Sequence, residues 1–224
     1  MKSIELSEEG RGLARKIITG LSKIGVALKS NAWKKASEEG LTPTQGQILV
    51  LLNSQAGKGM RLQEISKNLG VTSATTSDSV ESLVEKKLVV KQRSAKDARS
   101  LEISLTAKGK KSAQKTADWP DLFIGAVGAL DENEQSVFLR GLIKMIRNLQ
   151  DTGQVSVARM CVTCEFFKPN VHGGEAKPHH CAFVDAPLAE MDLRLDCEDH
   201  KTASAEVNAL VWEAFLTGSA VDDY

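Results

Sequence analysis

Aromatic side chains are scarce in this chain: six Phe, three Trp and one Tyr among 224 residues. Sandwich cores draw heavily on aromatic and β-branched residues, so this scarcity weighs against an all-β protein and favours helix. Long apolar runs are also missing. None approaches the roughly 20 residues that a membrane helix needs. The N-terminus, MKSIELSEEG, lacks the apolar core of a secretory signal. The expectation is a cytoplasmic protein with no membrane partner. Cysteine and histidine are absent from 183 of the 224 residues. All four of each lie between Met160 and His200.

Net charge is zero as well, but only on average. From Lys86 to Lys111 there are nine Lys/Arg against Asp97 and Glu102. From Met160 to His200 there are eight Asp/Glu against Lys168, Lys177 and Arg194. A basic centre and an acidic C-terminal segment imply two parts with different partners. The length fits one large domain or two small ones. We place the parts at 1–152 and 153–224.

In the first part, Leu13, Ile17, Leu21, Ile24, Ala27, Leu28 and Trp33 form one helical stripe. Thr42 is an N-cap, Pro43 suits the first helical position, and Gln45 closes a capping box. Leu62–Leu69 reads as a short helix ended by Gly70. Ser73 then opens a second helix that runs to about Lys87. Two short helices around a glycine turn are a helix-turn-helix signal. Ser73, Thr75, Thr76 and Ser79 are expected on the outer face of the second helix. Short polar side chains there let a backbone approach base edges in a major groove.

LVVKQ from Leu88 and SLEISL from Ser100 alternate as strands, with a charged tip between them. Lys91, Arg93, Lys96 and Arg99 on this hairpin suit DNA phosphates or a minor groove. Thr106 caps a helix that Trp119-Pro120 interrupts. Asp131 and Glu134 form a second capping box, opening a helix through Phe138, Leu142, Ile143, Ile146 and Leu149. The expected fold is therefore mainly α, with a helix-turn-helix, a small β-hairpin, long flanking helices and a loop-rich C-terminal module.

Five segments carry a family likeness in order: LTPTQGQIL from Leu41, LQEISKNLGV from Leu62, LVVK from Leu88, KDARS from Lys96 and LTAKG from Leu105. Through them, roughly residues 10 to 150 resemble the MarR (multiple-antibiotic-resistance regulator) family of winged-helix repressors. The resemblance implies a winged helix-turn-helix with the hairpin as its wing and a helical dimerisation region, double-stranded DNA as partner and a two-fold homodimer built from the long helices. It implies that Asp97 and Arg99 are the wing's Asp-x-Arg pair, the Asp orienting the Arg that reaches DNA. Lys87 departs from the pattern, standing where the family has Gly at the end of the recognition helix. A dimer also suits DNA physically, because it sets two recognition helices one helical turn apart on a palindrome.

The C-terminal pattern is Cys161-x2-Cys164-x16-Cys181-x15-Cys197, with His172, His179, His180 and His200 among the cysteines. In a reducing compartment, clustered thiols point to metal rather than disulfides. Four thiolates suit an iron–sulfur cluster or zinc. Only Cys161 and Cys164 form a close pair, whereas structural zinc commonly takes two pairs. His180 or His200 could replace a thiolate at zinc. The spacing, with Phe166-Phe167 after the pair, is similar to high-potential iron–sulfur proteins. The expected group is a [4Fe-4S] cluster on the four cysteines, with zinc as the alternative. A closing helix over Thr202–Thr217 presents Val207, Leu210, Val211 and Phe215 on one face.

Two functions from this reading are a dimeric repressor whose metal centre modulates DNA affinity, and a regulator with purely structural zinc and an aromatic-acid effector. An enzyme is not expected. Four thiolates close a coordination shell that catalysis would need open.

Overall fold

The computed structural model describes residues 7–55, 58–93, 100–117, 121–155 and 158–221. Within these residues no helix is long and apolar enough to cross a membrane. The chain forms two compact units, one comprising 1–65 and 73–123, the other 66–72 and 124–224.

The first unit follows the expected order: α1 (Glu8–Glu38), α2 (Pro43–Asn53), the start of α3 (Leu62–Leu69), α4 (Ser73–Glu85), β1 (Val89–Arg93), β2 (Leu101–Leu105) and α5 (Ala107–Ala117). The capping box forms as expected. Thr42 Oγ1 accepts from Gln45 N–H, and Gln45 Oε1 accepts from Thr42 N–H. Gln45 is itself buried, and its amide donates to Ser82 Oγ on α4. α2 packs on α4, α5 and β2. Ile48, Leu49, Leu52, Ile65, Val80, Leu83, Val89 and Ile103 are almost wholly buried. β1 and β2 pair antiparallel, Val89 opposite Leu105 and Arg93 opposite Leu101. Met60 bridges to Ile103 on the other edge of β2. These elements are a winged helix-turn-helix with a small antiparallel sheet.

Of all 31 residues of α1, only Ala36 is buried. Its apolar stripe lies open, with Leu13, Ile17, Ile24, Leu28 and Trp33 exposed. Thr106 does cap α5, accepting from Gly109 N–H at 2.9 Å. α5 ends at Ala117 and α6 (Asp121–Val127) begins beyond the proline; Trp119-Pro120 lies outside the described residues.

The second unit is built on α7 (Glu132–Asp151) and α8 (Ala205–Thr217). The Asp131–Glu134 capping box opens α7. Between the two helices runs a small antiparallel sheet, β3 (Phe167–Lys168), β4 (His179–Cys181) and β5 (Ala186–Leu188), in the order β3-β4-β5. The core joins Ile143 of α7, Met160, Val162, Cys164 and Phe167, Leu193, and Val211 and Phe215 of α8. Leu210 corrects the expected α8 face, being 52% exposed. The buried face centres near Val211 and Phe215, and Leu210 lies roughly 100° around the helix from that centre.

Candidate nucleic-acid interface and metal centre

α4 carries the expected recognition residues, and the structure divides them. Ser73 and Thr75 are exposed and Ser79 is half-buried. Thr76 is fully buried, one turn before Val80, on the core side of the helix. This corrects its expected outward placement. A threonine methyl tolerates a core, so a small β-branched polar residue reads the same on either face. Lys91 and Arg93 are exposed on the wing strand β1. Lys91 forms an ion pair with Glu81 of α4, which ties the wing's base to the recognition helix. Lys96, Asp97 and Arg99 lie outside the described residues.

Lys87, the departure noted in the sequence, takes the left-handed backbone that favours glycine, at φ 60°. Its N–H donates to Val84 O, and Leu88 N–H to Leu83 O, closing the helix end. Thr106 Oγ1 donates to Lys87 O at 2.8 Å. The helix thus ends as a glycine would end it, with a lysine in the strained position.

All four cysteines line one cavity, of about 60 Å³, in the second unit. A water needs roughly 10–15 Å³ on the same measure, so the space exceeds that of one small ion. Its walls are largely apolar: Phe166, Phe167, Phe183, Val184 and Leu188. No disulfide joins the thiols. Cys161 sits on a 3-10 turn and Cys164 closes it, its N–H donating to Cys161 O at 2.9 Å. Cys164 also bridges to Thr202, Cys181 ends β4, and Cys197 N–H donates to Arg159 O. Three separate segments therefore deliver the four thiols: the 161–164 turn brings two, the end of β4 one, and the chain at Cys197 one.

Arg194 supplies two donors to this group: its backbone N–H lies 3.3 Å from Cys161 Sγ and its guanidinium 3.8 Å from Cys197 Sγ. Burial pushes the Cys161 thiol up; the Arg194 N–H pulls it down, and the charges of Cys197, Cys181 and Cys164 add to the rise. Among the described residues no three His, Cys, Asp or Glu side chains converge tightly enough for a single ion in these side-chain positions. None of the histidines lines the cavity. His200 Nε2 lies 3.0 Å from Thr163 Oγ1, and burial holds its imidazole below the ordinary range.

His179, given no role of its own in the sequence pattern, is wholly buried between the rings of Phe167 and Phe215. Asn170 N–H donates to its Nδ1 at 3.1 Å, so the proton sits on Nε2, 3.4 Å from Glu190 Oε1. Glu190 also pairs with Arg140 of α7, whose guanidinium donates to Phe215 O at 2.6 Å and lies over the Phe215 ring. Burial alone would raise the Glu190 carboxyl, but His179 and Arg140 outweigh it and hold it below the usual range. Adjacent His-His dipeptides carry no sign of which ring turns inward; strand alternation about Cys181 is the one signal that could have assigned His179 to the core.

Residues 39–100 match the model of the MarR family. Regulators of this family are DNA-binding transcription factors, not enzymes. A crystal structure of the MepR–DNA complex of S. aureus is similar at 29% identity, covering 58% of this chain and 95% of that one, with a TM-score of 0.51. A MarR transcriptional regulator from Methanosarcina mazei Go1 shares the fold at 23% identity, covering 62% and 99%, with a TM-score of 0.51. No curated protein matches the chain.

Proposed function

We propose that this protein is a homodimeric DNA-binding repressor acting on a palindromic operator, and that a [4Fe-4S] cluster held by Cys161, Cys164, Cys181 and Cys197 sets its DNA affinity. The DNA-binding half of the reading is carried by α4, which offers Ser73 and Thr75 to solvent beside a wing bearing Lys91 and Arg93. The family match over 39–100 and the likeness to a DNA-bound regulator support it. Dimerisation is supported by the open apolar stripe of α1. A dimer would set its two α4 helices about 34–36 Å apart, one turn of DNA.

The cluster is supported by four thiols around a cavity larger than one ion, with apolar walls and N–H donors to two sulfurs. When bound, a cluster supplies one-electron redox chemistry and a tie between three chain segments. Losing that tie loosens the unit that contains α7 and α8, which is a route to altered DNA affinity.

Two experiments test the two halves. Removing the Arg93 charge (Arg93→Ala) should weaken binding to all DNA sequences alike. It should lower the salt slope by about 0.9 per phosphate contact, hence about 1.8 for two wings. An unchanged slope would remove the wing from the interface. For the centre, protein purified without oxygen should be brown, with iron and sulfide in equal amounts. A colourless protein with stoichiometric zinc would refute the cluster and leave the DNA-binding reading standing.

A further inference from the structure

The hairpin that carries Cys181 also brings two imidazoles face to face. β3 and β4 are paired, Lys168 opposite His180, and His172 N–H donates to Pro178 O at 2.9 Å across the connecting loop. This closure sets His172 Nε2 3.2 Å from His180 Nδ1, with ring centroids 5.3 Å apart and planes at 67°. On its other side, His180 Nε2 lies 3.2 Å from Asp185 Oδ1. A carboxylate only accepts, so His180 carries its proton on Nε2 and turns the Nδ1 lone pair toward His172. Asp185 is held for this contact in a left-handed backbone, at φ 49°.

Three features of this arrangement match a metal site. Zinc–nitrogen bonds of about 2.0–2.1 Å at tetrahedral to octahedral angles leave two ligand nitrogens about 2.8–3.4 Å apart. The observed 3.2 Å falls within that range. A metal-ligating imidazole commonly donates its other N–H to a carboxylate, which fixes its tautomer, and Asp185 does so here. Finally, both rings are half-buried rather than loose on the surface.

We infer that His172 Nε2 and His180 Nδ1 form a second metal site, separate from the four cysteines, for a divalent ion that favours imidazole: zinc, nickel or copper. Magnesium and calcium are excluded by their preference for oxygen. The ion takes the place of the proton between the two nitrogens, and His172 keeps that proton on Nδ1. Water completes the coordination, with Glu175 within the same turn, where its N–H donates to His172 O. Because His180 immediately precedes Cys181, an ion here pins the hairpin that delivers a thiol to the cavity. The site itself does not depend on what the cavity holds.

Nickel(II) distinguishes the two centres by equilibrium dialysis of the full-length protein, purified without oxygen with its cysteine centre as isolated. The wild type should take up one nickel per chain. His172→Ala and His180→Ala should each lose it, while His200→Ala retains it. His172→Gln, which preserves size and a polar contact to His180, should also lose it. Its circular dichroism checks that the loss is not unfolding. No nickel uptake by the wild type, or uptake unchanged in the His172 and His180 variants, would each overturn the site. None of these outcomes bears on DNA binding, so failure here is separable from failure of the repressor reading.

Discussion

At the residue scale, Lys87 and Gly109 are opposite cases of one constraint. Lys87 holds a left-handed backbone at φ 60°, and a non-glycine residue there costs about 1–2 kcal/mol. Glycine would remove that cost but would lose about 0.5–1 kcal/mol through its freer unfolded chain. Lys87→Gly should therefore stabilise the first unit by about 0.5–1 kcal/mol, read as a higher urea midpoint at unchanged slope. Gly109 is required for contact instead. A Cβ there would lie 1.9 Å from Leu88 O, with backbone on the other side of the clash. Gly109→Ala should cost about 1–3 kcal/mol as α5 is forced off β1, seen as a lower melting temperature. Gly109 stands in a segment that the sequence singled out, LTAKG, and Lys87 immediately precedes another, LVVK. What the sequence withheld was the direction of single side chains. Thr76 lies inward because its register on α4 matches Val80, and a small polar residue carries no mark of that.

At the scale of elements, boundaries were highly legible where a side chain satisfies a helix end. Thr42–Gln45, Asp131–Glu134 and Thr106 all cap as their positions dictate. Partnerships between elements were less legible. α7 follows the winged-helix segment in sequence, yet it packs Ile143 into the core shared by α8 and the cysteine turn. Its link to that module is Arg140 with Glu190 and His179, the last two standing 50 and 39 positions further along the chain, where no local pattern connects them to it. This link gives a pH dependence. The Glu190 carboxyl is held below its ordinary range in the fold, so its ionised form stabilises the second unit. That contribution is complete above the unfolded value of about 4.3 and is lost as pH falls from there through the folded value. Melting of the second unit should therefore drop more steeply below about pH 4.3 in the wild type than in Glu190→Gln. Equal pH profiles would mean that the carboxylate contributes nothing beyond its packing.

At the scale of the whole molecule, a winged-helix unit and a unit that gathers four thiols share one chain. The confinement of every cysteine to one stretch announced the second site, and the segment order announced the first. Why the thiols meet was hidden, because three non-adjacent segments deliver them and backbone bonds such as Cys197 N–H to Arg159 O set their places. The central claim is that the cysteine centre sets DNA affinity. Its most direct test is a fluorescence anisotropy titration of an operator fragment, selected from genomic DNA by the protein itself, with the intact protein and with the same protein after oxidative loss of the centre. Coupling free energies of allosteric proteins correspond to about 5- to 150-fold in affinity, and a change in that range is expected here. Equal affinity of the two forms would contradict the account, leaving a DNA-binding protein whose cysteines serve its fold alone.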